Sequence, residues 1–396
     1  MSTDTTRRRN VHPFPARMAP EIAMVKIDEL TDRAGTVLDP MCGSGTVPRL
    51  ALEKSRRAIA CDIDPLAVMM TRTSCKPAWS LSLARRAESV VAEAKLLDDE
   101  LPSWIVEDSS SIKFVEFWFA DDQRRDLSRL ARILYDRPTT DDPLRVALSR
   151  TIITKEGGAS RARDTSHSRP HRVRDDNDFG VYDGFVRAAS QIEALMFDVR
   201  LNNGSTSIRS VDAREMYFVD SESVDLILTS PPYLNAIDYL RGHRMSLVWL
   251  GSQMSVLRDV RGTSIGAERA LINPLAPIVE ISKAAIPDFD QLGRREQGMV
   301  WRFAHDIDRL CTSFARVVKP TGHLVFVVAD SSMRGIAVSN SAVCTAAAAR
   351  NGFHLANTET RELPAQHRYL PPPHAGDSTF NGRMRNELVL TYSRTG

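Results

Sequence analysis

Two short segments, and one carboxylate between them, carry side chains suited to a group-transfer site. The segment Asp39-Pro40-Met41-Cys42-Gly43-Ser44-Gly45-Thr46 follows a short apolar run and holds two glycines around a serine. Glycines there let the backbone approach a ligand closely, and the first turn of a following helix offers free N–H groups to a carboxylate or phosphate. No Gly-Lys-Ser/Thr follows, which excludes a triphosphate-binding loop. Asp62 lies 23 residues after Asp39 and ends the next apolar run, where parallel α/β folds place a carboxylate that accepts from ribose hydroxyls. A second helix cap is the alternative role for Asp62. The segment Thr229-Ser230-Pro231-Pro232-Tyr233 ends a further apolar run. Consecutive prolines fix φ and leave carbonyls that no local N–H can satisfy. Those carbonyls and the Ser230 hydroxyl can accept from an exocyclic amino group, while Tyr233 offers a face for stacking a base. A structural Pro-Pro turn with a buried tyrosine is the alternative.

Strand ends must hold these segments. Residues 36–39 read as a strand, the glycines as a turn, and 47–54 as a helix. A second strand is expected at 58–61, running into Asp62, with Asp64 as N-cap and Pro65 as the first helical residue after it. Two β-turn-α units in that order imply a doubly wound, mainly parallel sheet with its ligand at the carboxyl ends of the strands. Further strands are expected at 207–211, ending at Asp212, at 224–228, and at 324–328 after a turn at 320–322. The segments 353–364 and 385–393 read as two strands that pair at a sheet edge. Between 74 and 204 the periodicity is helical, at 83–101, 123–136 and 185–199, with no alternating strand pattern. This divides the chain into 1–73, a largely helical insertion at 74–204 that is the candidate DNA-recognition region from its length and charge, and 205–396.

Composition narrows the class. Of 396 residues, 42% are hydrophobic and 26% charged, an ordinary globular balance, and no run of 18 apolar residues suggests a membrane span. The N-terminal MSTDTTRRRN is followed by no apolar stretch, so no secretory signal is expected. Cys42, Cys61, Cys75, Cys311 and Cys344 are scattered and odd in number, which argues against disulfides or a zinc ribbon and for a reducing cytoplasm. No metal is expected. Net charge is only +2, but Arg150, Lys155, Arg161, Arg163, Arg169, Arg172 and Arg174 face only Glu156 and Asp164, with His167 and His171 interleaved. Such a stretch is a candidate footprint for phosphates, or else a solvated loop.

Together, DPMCGSGT and SPPY closely resemble the cofactor loop and catalytic loop of the amino-methyltransferases of DNA, which methylate cytosine N4 or adenine N6 with S-adenosylmethionine. Met41 stands where Phe is common in that family. The resemblance extends to His12-Pro13-Phe14-Pro15-Ala16-Arg17-Met18, similar to a segment that closes over the methionine end of the cofactor, and to Asp212-Ala213, similar to the adenine-binding strand end. It covers 10–73 and 205–394 and leaves the helical insertion unexplained. It implies a Rossmann-like methyltransferase fold with a C-terminal antiparallel edge. S-adenosylmethionine would be held by His12, Phe14, Pro15, Asp39 to Thr46, Asp62, Ile63, Asp212, Ala213 and Ser230. Ser230, Pro231, Pro232 and Tyr233 would act on a base flipped from double-stranded DNA. Ser before Pro-Pro-Tyr favours cytosine N4 over adenine N6. RNA methylation and a catalytically idle DNA-binding subunit are the other readings. Cys42 is not expected to attack the base, since the Pro-Cys motif of carbon-5 cytosine enzymes is absent. DNA contacts are assigned to Arg161, Arg163, His167, Arg169, His171, Arg172 and Arg241, with 234–300 as a region that could share recognition. Restriction or defence-system proteins are possible partners in such a setting.

Overall fold

A computed structural model describes residues 11–13, 18–76, 82–155, 157–163, 165, 170–196, 205–234, 238–267, 269–362 and 386–394. In chain order its strands are β1 (Thr36–Asp39), β2 (Arg57–Asp62), β3 (Ala162–Arg163), β4 (His171–Arg172), β5 (Thr206–Ser210), β6 (Val224–Thr229), β7 (Val318–Val328), β8 (Ser331–Met333), β9 (Ile336–Val338), β10 (Phe353–Glu362) and β11 (Asn386–Arg394). Seven of them form one sheet in the order β10-β11-β7-β6-β1-β2-β5. β5, β2, β1, β6 and β7 run parallel, and β11 enters antiparallel between β7 and β10. The order reverses between β1 and β6, so the ends of those two strands form the crevice where doubly wound sheets bind ligands. This is a Rossmann-like, doubly wound sheet with the C-terminal antiparallel edge that was expected.

Helix α1 (Pro20–Leu30) precedes β1, and α2 (Thr46–Glu53) and α3 (Pro65–Ser74) complete the first two β-α units. The central strands alternate their apolar side chains between two layers, as a period of two requires. Val37, Leu226, Leu228 and Val325 pack toward α1 and α2. Leu38, Ile227, Leu324 and Phe326 pack toward α12 (Ala276–Ala285), α13 (Arg294–Val317) and α14 (Asn340–Arg350). Both faces are covered, which is why these strands read as continuous apolar runs.

The segment from 74 to 204 is mainly helical as expected, with α4 (Leu83–Ala94), α5 (Ser103–Val106), α6 (Ser109–Trp118), α7 (Asp121–Tyr135), α8 (Asp142–Ile152) and α9 (Val181–Met196). The two-residue ladder β3–β4 interrupts it, too short for any alternation to be visible in sequence. Its core is not its own: Leu83, Phe119 and Phe185 share one cluster with Leu66 and Met70 of α3 and with Met245, Trp249 and Leu257, which belong to α10 (Tyr239–Leu247), the turn after it and α11 (Met254–Thr263). The expected turn at 320–322 is instead a bulge inside β7. Pairing with β6 jumps from Val224↔Val318 to Leu226↔His323, and a Cβ on Gly322 would lie 3.0 Å from the Val224 and Asp225 carbonyls.

Candidate active site

β1 delivers Asp39 and the glycine loop, and backbone geometry explains the residue types. Gly43 (φ +49°) and Gly45 (φ +81°) occupy the left-handed region. A Cβ on Gly45 would lie 2.8 Å from Thr71 Cα, so the loop can lie flat on α3 only with glycine there. The Cys42 amide donates to the Cys61 carbonyl at 3.0 Å, and the Thr71 hydroxyl donates to Cys42 Sγ and to the Gly43 carbonyl, both at 3.2 Å. Ser44 and Thr46 face one another across 3.4 Å, and the Ser74 hydroxyl donates to the Ser44 carbonyl at 3.2 Å. Cys42 is buried, and burial, with the charges of Asp62 and Asp39, pushes its thiol far up. A neutral, enclosed thiol is no nucleophile.

Asp62 ends β2 as expected. Its carboxylate accepts from the Gly43 amide at 3.0 Å and from the Asp64 amide at 2.9 Å, which draws the glycine loop onto the second strand end. Burial pushes Asp62 up to about 7, aided by the Asp64 charge and opposed by these amides and by His243. Capping falls to Asp64, which accepts from the Leu66 amide at 2.9 Å ahead of Pro65. The second oxygen of Asp64 accepts from Nδ1 of the buried His243 on α10. Ile63 is half-buried between the two acids.

β6 ends beside β1, and a side-chain bond joins the two segments. The Thr229 hydroxyl, fully buried, donates to Asp39 Oδ1 at 3.0 Å, and the same oxygen accepts from the Met41 amide at 3.3 Å. Burial pushes Asp39 up to about 7, with the Asp62 charge adding to it and the two donors opposing it. Past Thr229, Ser230 Oγ lies 3.5 Å from the Tyr233 hydroxyl across Pro231 and Pro232. The far end of the loop is pinned by Asn340, at the start of α14: its side-chain oxygen accepts from the Leu234 amide at 3.2 Å, and its amide donates to the Ala329 carbonyl at 2.9 Å. Gly266 closes from the other side, where a Cβ would sit 3.0 Å from the Tyr233 carbonyl. Thr229, Asn340, Gly266 and His243 were not singled out for these roles from sequence. Thr229 stood inside the motif, whereas nothing near Asn340 or Gly266 in the chain marks them.

Other expected site residues have different surroundings. Asp212 follows β5 and caps the turn at Ala213–Glu215 through the Arg214 amide at 2.9 Å, with Ala213 buried beneath. Burial would raise its carboxyl, but the hydrogen bonds and charge of Arg214 hold it below its ordinary value. His12 is buried, and its Nε2 lies 2.9 Å from Ser149 Oγ of α8, which in turn donates to Ser246 Oγ of α10. Phe14 and Pro15 lie outside the described residues, as do His167 and Arg169. Arg161 donates to the Glu116 carbonyl at 3.0 Å, and Arg172 pairs with Asp175 at 2.7 Å. Arg163 and His171 stand exposed on the β3–β4 ladder. Arg241, on α10, lies 3.8 Å from Asp238. Among the described residues no group of three or more His, Cys, Asp or Glu could hold a metal, and no helix is long and apolar enough to cross a membrane.

No family model matches the chain. The type II methyltransferase M.MvaI of Kocuria varians is 20% identical over 412 residues, covering 96% of this chain and 89% of that protein. Among solved structures, a TehB-like S-adenosylmethionine-dependent methyltransferase of Corynebacterium glutamicum is 9% identical, covering 94% of this chain and 87% of its own, with a TM-score of 0.31. A DNA modification methylase of Thermus thermophilus is 16% identical over 33% of this chain and 53% of its own, with a TM-score of 0.18. The curated relative, itself a methyltransferase, matches along nearly the whole chain.

Proposed function

We propose that the chain transfers a methyl group from S-adenosylmethionine to the exocyclic amino group of a base flipped from duplex DNA, with cytosine N4 as the preferred acceptor. The observation that carries this reading is the joining of the glycine loop and the Ser-Pro-Pro-Tyr loop at the switch point of the sheet through Thr229 and Asp39. The curated relative, a type II methyltransferase that matches along nearly the whole chain, supports it.

The residues present fit the cofactor. Two carboxylates at adjacent strand ends, both raised to about 7 by burial, suit a ligand that brings hydroxyl donors and a positive charge. Asp62 would accept from the ribose hydroxyls, exchanging its amide partners for them. The glycine loop would admit the backbone close to the ligand. S-adenosylmethionine, when bound, supplies an electrophilic methyl on a sulfonium.

The protein's own task is to make a poor nucleophile attack. The lone pair of an aromatic amine is delocalised into its ring, so the nitrogen must pyramidalise before it can bond to carbon. The Pro231 carbonyl and the Ser230 hydroxyl accept from the two amino hydrogens, which favours that geometry and stabilises the charge that develops on nitrogen. Tyr233 stacks on the base and recovers part of the stacking lost on flipping. Asn340 and Gly266 hold the loop so that these acceptors are in place before the base arrives.

Incubation with plasmid DNA and isotopically labelled S-adenosylmethionine, digestion to nucleosides and mass spectrometry tests the reading. Labelled N4-methylcytosine is expected. Labelled N6-methyladenine would reassign the acceptor, and label found only in RNA would overturn the DNA assignment.

A further inference from the structure

One surface of arginines and aromatic rings beside the catalytic loop has no part in the mechanism above. Asp238, the N-cap of α10, carries Arg261 on its Oδ2, with Arg241 Nε 3.8 Å from the same oxygen. Among the described residues the side chain of Arg244, one turn along α10 from Arg241, makes no hydrogen bond or ion pair, and its Nε is buried without a partner. Burial and the charges of Arg261 and Arg241 hold Arg244 below the ordinary arginine range. Two guanidiniums therefore share the one carboxylate and the third has none, which leaves an excess of positive charge. Residues 238–263 carry four arginines against two aspartates.

The surface continues onto α6, within the helical insertion. The Arg244 guanidinium lies over the Phe114 ring, 5.3 Å from its centroid. One helical turn on, Phe117 is 48% exposed, and Arg172 of β4 lies 5.0 Å from its centroid. Trp118 meets both rings, at 6.2 and 4.9 Å between centroids. α6 thus joins the arginines of α10 to the basic ladder. At the opposite end, Gly266 touches Tyr233 of the catalytic loop.

We propose that Arg241, Arg244 and Arg261, with Phe117 at the far end, form a phosphodiester-binding track that leads duplex DNA to the catalytic loop. The inference rests on the reading under Proposed function and adds where the backbone is gripped. Guanidiniums in excess of carboxylates fit phosphates, and an exposed ring flanked by cations fits a sugar or base edge. Phosphate binding at this position would set the register of the strand relative to Ser230 and Tyr233.

The test is fluorescence anisotropy of a labelled DNA duplex with the full chain at several salt concentrations, with S-adenosylmethionine affinity measured by calorimetry in each variant. Arg244→Gln breaks no ion pair and should weaken duplex binding several-fold with cofactor affinity intact. The triple variant Arg241→Gln, Arg244→Gln, Arg261→Gln should flatten the slope of log affinity against log salt by about 0.9 for each lost phosphate contact. Phe117→Ala should weaken binding and leave that slope unchanged. A triple variant that keeps its cofactor affinity and matches wild type in duplex affinity and slope overturns the track. If wild type still methylates DNA in that case, the proposed function stands without it. A wild-type chain with no affinity for duplex DNA, or one that binds structured RNA more tightly, overturns both.

Discussion

The crevice between β1 and β6 and the surface formed by α6, α10 and the β3–β4 ladder are held by different kinds of interaction. In the crevice, carboxylates accept from amides close by in the chain: Asp39 from Met41, Asp62 from Asp64, and Asp64 from Leu66. On the outer surface the partners come from distant segments, as with Arg244 over Phe114, Arg172 over Phe117, and Arg258 donating to Ser110 at 2.7 Å. The crevice is thus specified in part by neighbours in the chain and completed by long-range bonds, Thr229 to Asp39 and His243 to Asp64. The outer surface is held instead by guanidiniums over aromatic rings, which touch none of the crevice carboxylates.

Substitutions that affect one region and spare the other test this separation. The largest effect is expected from Ser230→Ala and Tyr233→Ala, which should lower turnover by about 10²-fold or more while cofactor affinity, read by calorimetry, stays at the wild-type value. Wild-type turnover in both would remove the assigned roles. Asp62→Ala should act in reverse, reducing cofactor affinity about tenfold or more, since each lost bond to a charged group is worth about 1.5–3 kcal/mol. Unchanged calorimetric affinity would leave Asp62 only the loop-holding role seen with Gly43 and Asp64.

Thr229→Val tests the bond between the loops and has a pH signature. Asp39 titrates near 7 in the folded chain against 3.8 as its ordinary value, so its contribution to stability is fully present below about 3.8 and is lost as pH rises through about 7. Removing the Thr229 donor withdraws support from the ionised form. The melting temperature should therefore fall more at pH 8 than at pH 5, by an amount equivalent to about 1–3 kcal/mol at the higher pH. Thr229→Ser should restore it, and equal losses at both pH values would refute the pairing. The smallest effect is expected at the basic ladder. Arg161 and Arg172 already hold a carbonyl and a carboxylate, which leaves Arg163 as the exposed arginine of the pair of strands. Arg163→Gln should reduce the salt slope of DNA binding by at most about 0.9 and leave turnover at saturating DNA unchanged. A larger loss in turnover than in binding would move this ladder into the catalytic region.

The strand-turn-helix units, the Asp64-Pro65 cap, the antiparallel pairing of β10 with β11 and the two loops were all legible in sequence. Each rests on local rules: apolar runs that end at a polar residue, glycines where φ is positive, and proline at the first turn of a helix. Tertiary structure alone decided that Thr229 reaches Asp39, that Asn340 pins Leu234 from more than a hundred residues away, and that the basic ladder lands on Phe117. It also decided that the helical segment shares its core with α3 and α10 instead of closing on itself. The physical reason is the range of the forces involved. Backbone hydrogen bonding and φ preference act between neighbours in the chain and leave a pattern there, whereas side-chain pairing and core burial depend on which surfaces the folded sheet brings together.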